Sequence, residues 1–456
     1  MADAVVVGAG PAGVAAAAAL AEADLEVMLV DEAPRPGGQV HRSPPDGLDL
    51  DMAALLAAGH DAYRAFHARF AALRPRIDYR PQTLAWNVFA GEIHLAARGA
   101  LEAVPWRALV LATGATDRVL PVRGWTLPGV YTLGGAQAIL KDQGCLIGRR
   151  VVFCGSSPLL YLAAVQYLRM GGEVAAILDT TPFARKVAAA PRLAAAPRTF
   201  AEGLGHMARL RRSGVAIVHG AHIVAMTGDG AVDGVTYRGG DGVERRTACD
   251  AVACGFGLRP ETQLAELAGC ALRFDPIHRQ WFPRVDGDGR AGNGVYLAGD
   301  GAAIGGAAAA ALSGRLAGLA AVADLRAGTI AAEAPRLRRA LHRLRRFQHG
   351  LAEAFAWPHG RVADIADDVA ICRCEGITAG EVRRAVGAVA GALEVNRVKA
   401  ATRCGMGRCQ GRFCGPAAAE LTAAALGRSD GEIGRLRAQP PVKPLPIAVA
   451  PAEDAA

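Results

Sequence analysis

The sequence predicts an α/β chain of two nucleotide-binding units with a small helical module at its C-terminal end, and three stretches carry that prediction. Residues 3–32 read D-A-V-V-V-G-A-G-P-A-G-V-A-A-A-A-A-L-A-E-A-D-L-E-V-M-L-V-D-E. Residues 150–179 repeat the order strand, turn, helix, strand. Five of the ten cysteines fall between Cys372 and Cys414.

In the first stretch the apolar run Ala4–Val7 breaks at Gly8, Gly10 and Gly13, an Ala-rich helix follows, and a second apolar run, Val27–Val30, ends in Asp31 and Glu32. This is a βαβ unit with a dinucleotide fingerprint. Gly8 allows the tight turn, Gly10 lets a pyrophosphate approach the backbone, and Gly13 lets helix and strand pack closely. Pro11 and Ala12 open the helix, whose free N–H groups face the phosphates. Asp31 stands where a ribose hydroxyl is bound. The alternative is a Gly-rich turn that binds nothing. The flanking strands and the acidic residue at the right distance argue against it.

With 456 residues, 52% of them hydrophobic, the chain has room for two or three domains. Aromatics are only 5%, which indicates neither a base-stacking nucleic-acid platform nor a carbohydrate-binding face. The net charge of +8 is concentrated in Arg336–Arg346, with mixed charges elsewhere, so no nucleic-acid partner is expected. The first strand begins within five residues of Met1 with no basic segment before it, so the expected location is the cytoplasm. Ala302–Leu325 is Gly/Ala-rich and interrupted by Arg315 and Asp324, which reads as a buried helix rather than a membrane span. Ten cysteines in a reducing compartment point to metal or redox use.

After Asp31 comes P-R-P-G-G-Q-V, where Gly37 and Gly38, followed by Gln39, let a loop pass close to a ligand. A helix is expected over 51–74 with Leu55, Leu56, Tyr63, Phe66 and Phe70 on one side, then strands near Leu84–Phe89 and Ile93–Ala97. Trp106–Pro121 contains a buried strand that ends in Thr113, Gly114 and Ala115. In the second unit Gly155 remains, but Ser157 and Leu160 replace the second and third glycines, and Ser157 would hold a pyrophosphate further off. The fold is expected there, with NAD(P), ATP or an empty site as the alternatives. A helix at Ala201–Ser213, a strand at Val215–His219 and a hairpin near Thr227–Tyr237 complete that unit. His219 and His222 are read as facing opposite sides of one strand. Gly255–Glu261 returns the chain to the first unit, where a strand ends in Gly299 and Asp300 before a Gly/Ala helix containing Gly305 and Gly306.

The fingerprint, the P-G-G-Q loop, the A-T-G segment and the G-D pair, in that order, resemble the two-dinucleotide flavoproteins, whose Rossmann-like FAD domain carries a second nucleotide domain inserted in it. The resemblance implies FAD held by Gly8, Gly10, Pro11, Ala12, Gly13, Asp31, Glu32, Gly37, Gly38, Gln39, Thr113, Gly114, Gly299, Asp300 and Gly306. The implied boundaries are 1–118 and 270–330 for the FAD-binding domain and 119–269 for the inserted nucleotide domain with its degenerate fingerprint.

Residues 331–365 form an amphipathic connecting helix, with Leu337, Leu341, Leu344, Phe347 and Leu351 on one face and six arginines elsewhere. Docking to an acidic partner or a membrane surface is the alternative. The cysteine module, 366–430, reads I-C-R-C-E-G-I-T and T-R-C-G-M-G-R-C-Q-G-R-F-C-G-P, with Thr378 as N-cap of a helix containing Val382, Val386 and Val389. Cys-x-Cys followed by a pair in a Gly-rich loop resembles the BFD-like [2Fe–2S] domain, although its last pair, Cys409 and Cys414, is separated by four residues instead of the family's two. The resemblance implies Cys372, Cys374, Cys409 and Cys414 as ligands, with Cys404 left over, and Cys404 in place of Cys414 as the second set. Zinc is the structural alternative, but it prefers wider knuckles than Cys-x-Cys. Cys145, Cys154, Cys249, Cys254 and Cys270 are scattered in apolar contexts and read as inert. The Pro-rich tail, 431–456, is an extended arm, either lying on a subunit or free.

No Cys-x-x-Cys occurs, which excludes dithiol reductase chemistry, and no catalytic triad is recognisable. The whole chain resembles the larger, non-substrate subunit of heteromeric FAD-dependent amino- and imino-acid dehydrogenases. That family includes the A component of opine oxidase, the B component of hydrogen cyanide synthase (HcnB) and the α component of D-hydroxyproline dehydrogenase. The resemblance implies FAD, a [2Fe–2S] cluster and an electron-relay role. It also implies a substrate-oxidising FAD-dependent β subunit of the glycine-oxidase or D-amino-acid-dehydrogenase type, a small [2Fe–2S] ferredoxin-like γ subunit, and peripheral association with the cytoplasmic face of the inner membrane. The alternative is a self-sufficient NAD(P)H-dependent FAD/[2Fe–2S] oxidoreductase, and a third reading is a nucleotide-binding scaffold with zinc.

Overall fold

The computed structural model describes residues 2–388 and 394–445. One sheet has six strands in the order Arg290–Gly292, Val295–Leu297, Ala108–Leu111, Ala4–Val7, Val27–Val30, Asp78–Arg80. All neighbours run parallel except the first pair. Ala4–Val7, Val27–Val30 and Ala108–Leu111 are buried at every position, as strands covered on both faces must be. The helix Pro11–Glu22 covers this sheet, and the helix Gly306–Leu325 crosses it closely. A Cβ at Gly314 would lie 2.0 Å from Ala12 O, and one at Gly318 would lie 2.6 Å from Ala16 O. That contact explains the Gly/Ala composition. Gly306–Leu325 is long and apolar enough to cross a membrane, yet it packs here as a core helix.

The second sheet has five parallel strands in the order Ala216–His219, Glu173–Asp179, Arg150–Gly155, Ala251–Gly255, Val130–Thr132. Its strands fall in sequence between Ala108–Leu111 and Val295–Leu297 of the first sheet, so it is an insertion. Ala115–Asp117 and Leu258–Pro260 pair antiparallel where the chain leaves and returns. This is the two-nucleotide-unit α/β fold that the sequence predicts.

Local geometry departs from the sequence reading at several points. The helix expected over 51–74 breaks at Ala57, whose φ is +47°, into Met52–Leu56, a short 3-10 turn and His60–Leu73. A third strand, Ala100–Pro105, joins Leu84–Phe89 and Glu92–Ala97; its largely exposed side chains hide it from apolar patterning. His219 and His222 do not share a strand. Gly220, with φ +70°, turns the chain so that His222–Thr227 starts a separate antiparallel sheet. Cys154 and Cys254 are not scattered either, because register pairs them on adjacent strands with their sulfurs 3.3 Å apart. Burial pushes Cys249, in the same core, up to about 12, and Cys270, in another core, up to about 11. Cys145 is exposed.

The helix Ala334–Ala354 buries Leu341 and Phe347 against Gly306–Leu325 and Phe183–Leu193. The cysteine module follows as a hairpin, Ala370–Cys372 with Ile377–Thr378, and the helices Ala379–Ala388, Val395–Thr402, Cys414–Leu426 and Asp430–Ile433. Thr378 and Glu381 cap the first of these reciprocally. Val382 and Val386 are buried there, and Val389 lies outside the described residues. The module's core is continuous with Trp357, Val362 and Ile365 before it, and with Val119, Leu120 and Phe256 of the nucleotide body. The arm expected to be extended from 431 instead opens with the helical turn Asp430–Ile433, with Ile433 fully buried and Leu436 packed onto Gly405, Gly411 and Gly415. Further on, Val442 is buried and its N–H donates to Trp86 O at 3.0 Å. Up to Leu445 the arm therefore lies on its own chain; residues 446–456 are outside the described residues.

Candidate functional site

The first nucleotide site is assembled by contacts that leave no room for side chains. A Cβ at Gly8 would meet Ala112 O at 2.4 Å, and one at Gly13 would meet Gly8 O at 1.7 Å. The P-G-G-Q loop folds onto the fingerprint, since a Cβ at Gly38 would lie 3.1 Å from Gly10 Cα, and Gly37 N donates to Ala9 O at 2.9 Å. Gly299 abuts Ala12, and Gly301 abuts Thr113. The four predicted segments thus meet in one place. Gly10 caps the helix Pro11–Glu22 without a side-chain hydrogen bond, leaving first-turn N–H groups for an anion.

The acidic residues of this site are held differently. Asp31 Oδ2 accepts from Ala9 N at 2.5 Å and Oδ1 from Ala33 N at 2.7 Å, so its carboxylate shapes both loops. Glu32 pairs with Lys443 of the C-terminal arm. Asp300 Oδ1 accepts from Gly305 N at 2.8 Å and Gly306 N at 3.0 Å; burial raises its pKa, and these two N–H groups partly oppose the rise. Of the two glycines at the start of the helix Gly306–Leu325, Gly305 is closed by Ala309, while a Cβ at Gly306 meets nothing nearer than 3.7 Å. Gln39 faces the opposite way, accepting from Arg42 and Lys141. An uncapped helix start, a glycine cradle and a strand-end carboxylate fit a flavin dinucleotide.

The second unit does not fit a nicotinamide dinucleotide in the same way. Ser157 Oγ accepts from Leu159 N at 3.2 Å, occupying an N–H at the start of Leu159–Arg169 that a pyrophosphate would use. Asp179, at the strand end where a ribose would be bound, is fully buried. It takes Tyr161 Oη at 2.5 Å, Lys186 Nζ at 2.6 Å and Thr181 N at 2.8 Å.

All five thiols of the module gather at one point. The sulfurs of Cys372, Cys404 and Cys414 lie within 4.8 Å of one another, Cys409 touches Cys414, and Cys374 pairs with Cys409. Cys404, left over by motif spacing, is therefore a buried member of the group. Hydrogen bonds from the Cys404 and Cys414 thiols hold Cys372 down at about 2, and the bond Cys404 gives to Cys372 pushes Cys404 up to about 12. Cys409 is held at about 5, chiefly by Cys414. Backbone amides also turn to sulfur: Gly405 and Glu375 toward Cys372, Cys409 toward Cys374, and Phe413 and Gly411 toward Cys409. Gly407 makes this turn possible, because a Cβ there would lie 2.3 Å from Cys374 Cβ. Sulfur-rich, amide-solvated and partly buried, the site suits an iron–sulfur cluster.

The module is locked to the nucleotide body by residues that motif reading passes over. Trp125 Nε1 donates to Ala370 O at 2.7 Å and Gln263 Nε2 to Gln410 O at 2.8 Å. Arg118 is buried under the module; its Nη2 donates to Glu420 Oε1 at 2.8 Å, and its guanidinium lies 3.6 Å from the Trp357 ring centroid. Glu420 does leave one trace in the sequence, as the lone charge within A-A-A-E-L-T-A-A-A-L.

Comparison with known proteins agrees with these sites. Residues 2–323 match the pyridine nucleotide-disulphide oxidoreductase family, and residues 370–424 match the BFD-like [2Fe-2S] binding domain. The A component of opine oxidase from Agrobacterium tumefaciens (strain Ach5) is 36% identical, over 98% of this chain and 90% of that protein. The HcnB component of hydrogen cyanide synthase from Pseudomonas aeruginosa is 33% identical over 97% of each. Among solved structures, L-proline dehydrogenase from P. horikoshii shares the fold at a TM-score of 0.74 and 20% identity, covering 98% of this chain and 79% of that one. FAD and a [2Fe–2S] cluster are accordingly the chain's cofactors. Likeness at that level along almost the whole length makes this chain a member of the oxidoreductase family that holds the A component of opine oxidase and the HcnB component of hydrogen cyanide synthase.

Proposed function

We propose that this chain is the electron-relaying subunit of a heteromeric amino- or imino-acid dehydrogenase of opine, glycine or D-hydroxyproline type. A partner flavoprotein of the glycine-oxidase type oxidises the C–N bond, and this subunit passes the electrons toward a respiratory or dye acceptor. A small ferredoxin-like subunit completes the complex, which works in the cytoplasm or on the cytoplasmic face of the inner membrane. One observation carries the reading: the cysteine loop is not a separate bead on a linker but is held by side chains of the nucleotide body, with buried Gln263 on Gln410 O and half-buried Arg259 on Arg412 O.

When bound, FAD accepts electrons in pairs and releases them singly, and a [2Fe–2S] centre carries one at a time. The chain's own residues arrange the rest. The Gly8–Gly13 turn and the free N–H groups of Pro11–Glu22 would hold the pyrophosphate, Asp300 would orient the ribityl chain, and Gly37–Gly38 leave the loop free of side chains where the flavin would lie. Cys372, Cys374, Cys409 and Cys414 would hold the iron, and the amides of Gly405 and Gly411, turned toward Cys372 and Cys409, would stabilise negative charge on sulfur. The closed environment of Asp179 supports a donor other than NAD(P)H.

Co-expression with a substrate-oxidising flavoprotein of the glycine-oxidase type tests the proposal. Dye reduction driven by an amino or imino acid should require both chains, and the isolated chain should stay oxidised with NADH. Bleaching of the isolated chain by NADH would replace the relay with the self-sufficient reductase.

A further inference from the structure

Arg412 lies between Cys409 and Cys414, yet its side chain leaves the cysteine loop and enters the nucleotide body, where it is 7% exposed. Its Nε donates to Glu261 Oε2 at 2.5 Å, and its Nη1 to Cys409 O at 3.3 Å and to Val442 O at 2.7 Å. Glu261 is in turn fastened to the flavin segment by its backbone. Thr113 Oγ1 donates to Glu261 O at 2.6 Å, and Glu261 N donates to Gly114 O at 2.9 Å. Arg259 closes the arrangement by donating from Nη1 to Arg412 O at 3.1 Å. Consecutive hydrogen bonds and short covalent links therefore run from Thr113 and Gly114 to the carbonyl of Cys409, through a pair, Glu261 and Arg412, whose members stand 151 positions apart. Burying a carboxylate and a guanidinium is costly in water-excluded surroundings, and apolar residues would pack such a contact at lower cost. What the pair adds is direction: each charged group has a single fitted geometry, and both fasten loops that border redox sites.

We propose that Arg412 and Glu261 are positioning residues for electron transfer, fixing the cysteine loop against Thr113–Gly114 and setting the bonded path and local charge between the two sites. One electron crosses at a time, from the flavin side to the cluster, and no bond is made or broken. The inference deepens the relay reading and rests on it for the direction of flow.

The test uses the full-length holoprotein carrying Arg412→Gln or Glu261→Gln. FAD, iron and acid-labile sulfide per chain should match the unmodified protein. Amide hydrogen exchange should rise at least tenfold in 113–115 and 407–413 together, in both variants. Cluster midpoint potential should move in opposite directions, upward in Glu261→Gln, where the Arg412 cation loses its counter-charge, and downward in Arg412→Gln. A purely structural role would shift both the same way. Unchanged exchange at 113–115 in Arg412→Gln, or potential shifts of one sign, would overturn the proposal. Should either variant lose its cluster, Arg412→Lys keeps the charge while giving up the forked donor; raised exchange with an unchanged potential is then expected, and unchanged exchange overturns it. Failure of the relay reading shows separately, as no amine-driven reduction by the partner while exchange and potentials behave as described.

Discussion

Replacing Glu420 by Gln probes the bridge between the helix Cys414–Leu426 and the nucleotide body. Glu420 is 7% exposed and its partner Arg118 is 2% exposed. Burial outweighs the attraction of Arg118 and lifts the Glu420 carboxyl from its ordinary 4.5 to about 7, while burial also brings Arg118 down to about 10. Between those two carboxyl values the folded chain keeps a proton that the unfolded chain has released. The stability this group contributes is therefore complete below pH 4.5 and is lost as pH rises through 7. Each pH unit between the values is worth about 1.4 kcal/mol, so from pH 5 to pH 8 ionisation of Glu420 removes roughly 2–3 kcal/mol. Gln resembles the protonated carboxyl and has no proton to lose. Glu420→Gln should accordingly match the unmodified protein near pH 5 and exceed it by roughly 2–3 kcal/mol at pH 8. Urea unfolding followed by tryptophan fluorescence at pH 5, 6.5 and 8 measures the difference directly. Parallel pH profiles, or a variant less stable at pH 8, would show that the ion pair outweighs its desolvation and would refute the reasoning.

Gly13→Ala places a methyl carbon 1.7 Å from Gly8 O, so the turn must open; FAD per chain, read from visible absorbance, should fall about tenfold or more, and full retention would sink the assignment. Cys414→Ser should remove iron and acid-labile sulfide, whereas Cys404→Ser should keep both at the original content, because four thiolates suffice for a [2Fe–2S] centre; cluster loss in Cys404→Ser would bring that residue into the ligand set. Anaerobic NADH or NADPH should leave the flavin absorbance unchanged over minutes, since Asp179 is already engaged by Tyr161 and Lys186; rapid bleaching would mean that the second unit opens to take the dinucleotide.

What can be read from the sequence is what short-range geometry dictates. Gly13 must be glycine because its helix returns against Gly8 only five residues away, and Val5 and Val7 are apolar because both faces of their strand are covered. Cys372 and Cys374 announce a cluster because two thiols two positions apart have few other uses. The residues that dock the module are illegible for the opposite reason. Arg118 and Glu420 stand 302 positions apart, and neither carries a motif. Cys404 escapes the motif because spacing assigns ligands along the chain, whereas the loop from Arg403, with φ +65°, to Gly405, with φ +95°, folds its sulfur back among the others. Composition likewise hides Leu436 and Val442, two apolar residues of the C-terminal arm: Leu436 packs onto the glycines of the cysteine loop, and Val442 is buried on a surface built hundreds of residues earlier, beside Trp86.

The two strand-end aspartates show why a shared fold need not mean a shared ligand. Asp31 keeps its carboxylate at the loop rim, taking two backbone N–H groups, with Glu32 exposed beside it. Asp179 occupies the equivalent place in the second sheet, but its loop has Ser157 and Leu160 where glycines would admit a pyrophosphate. There the carboxylate is fully buried, and a buried carboxylate must be paired or give up its charge. Tyr161 and Lys186 are the pairing. The side chains at 157 and 160 and the engagement of Asp179 thus close the same end of this strand–turn–helix unit. It follows that restoring glycine at 157 and 160 alone should not restore nucleotide binding, because Lys186 would still neutralise the carboxylate that a ribose needs free.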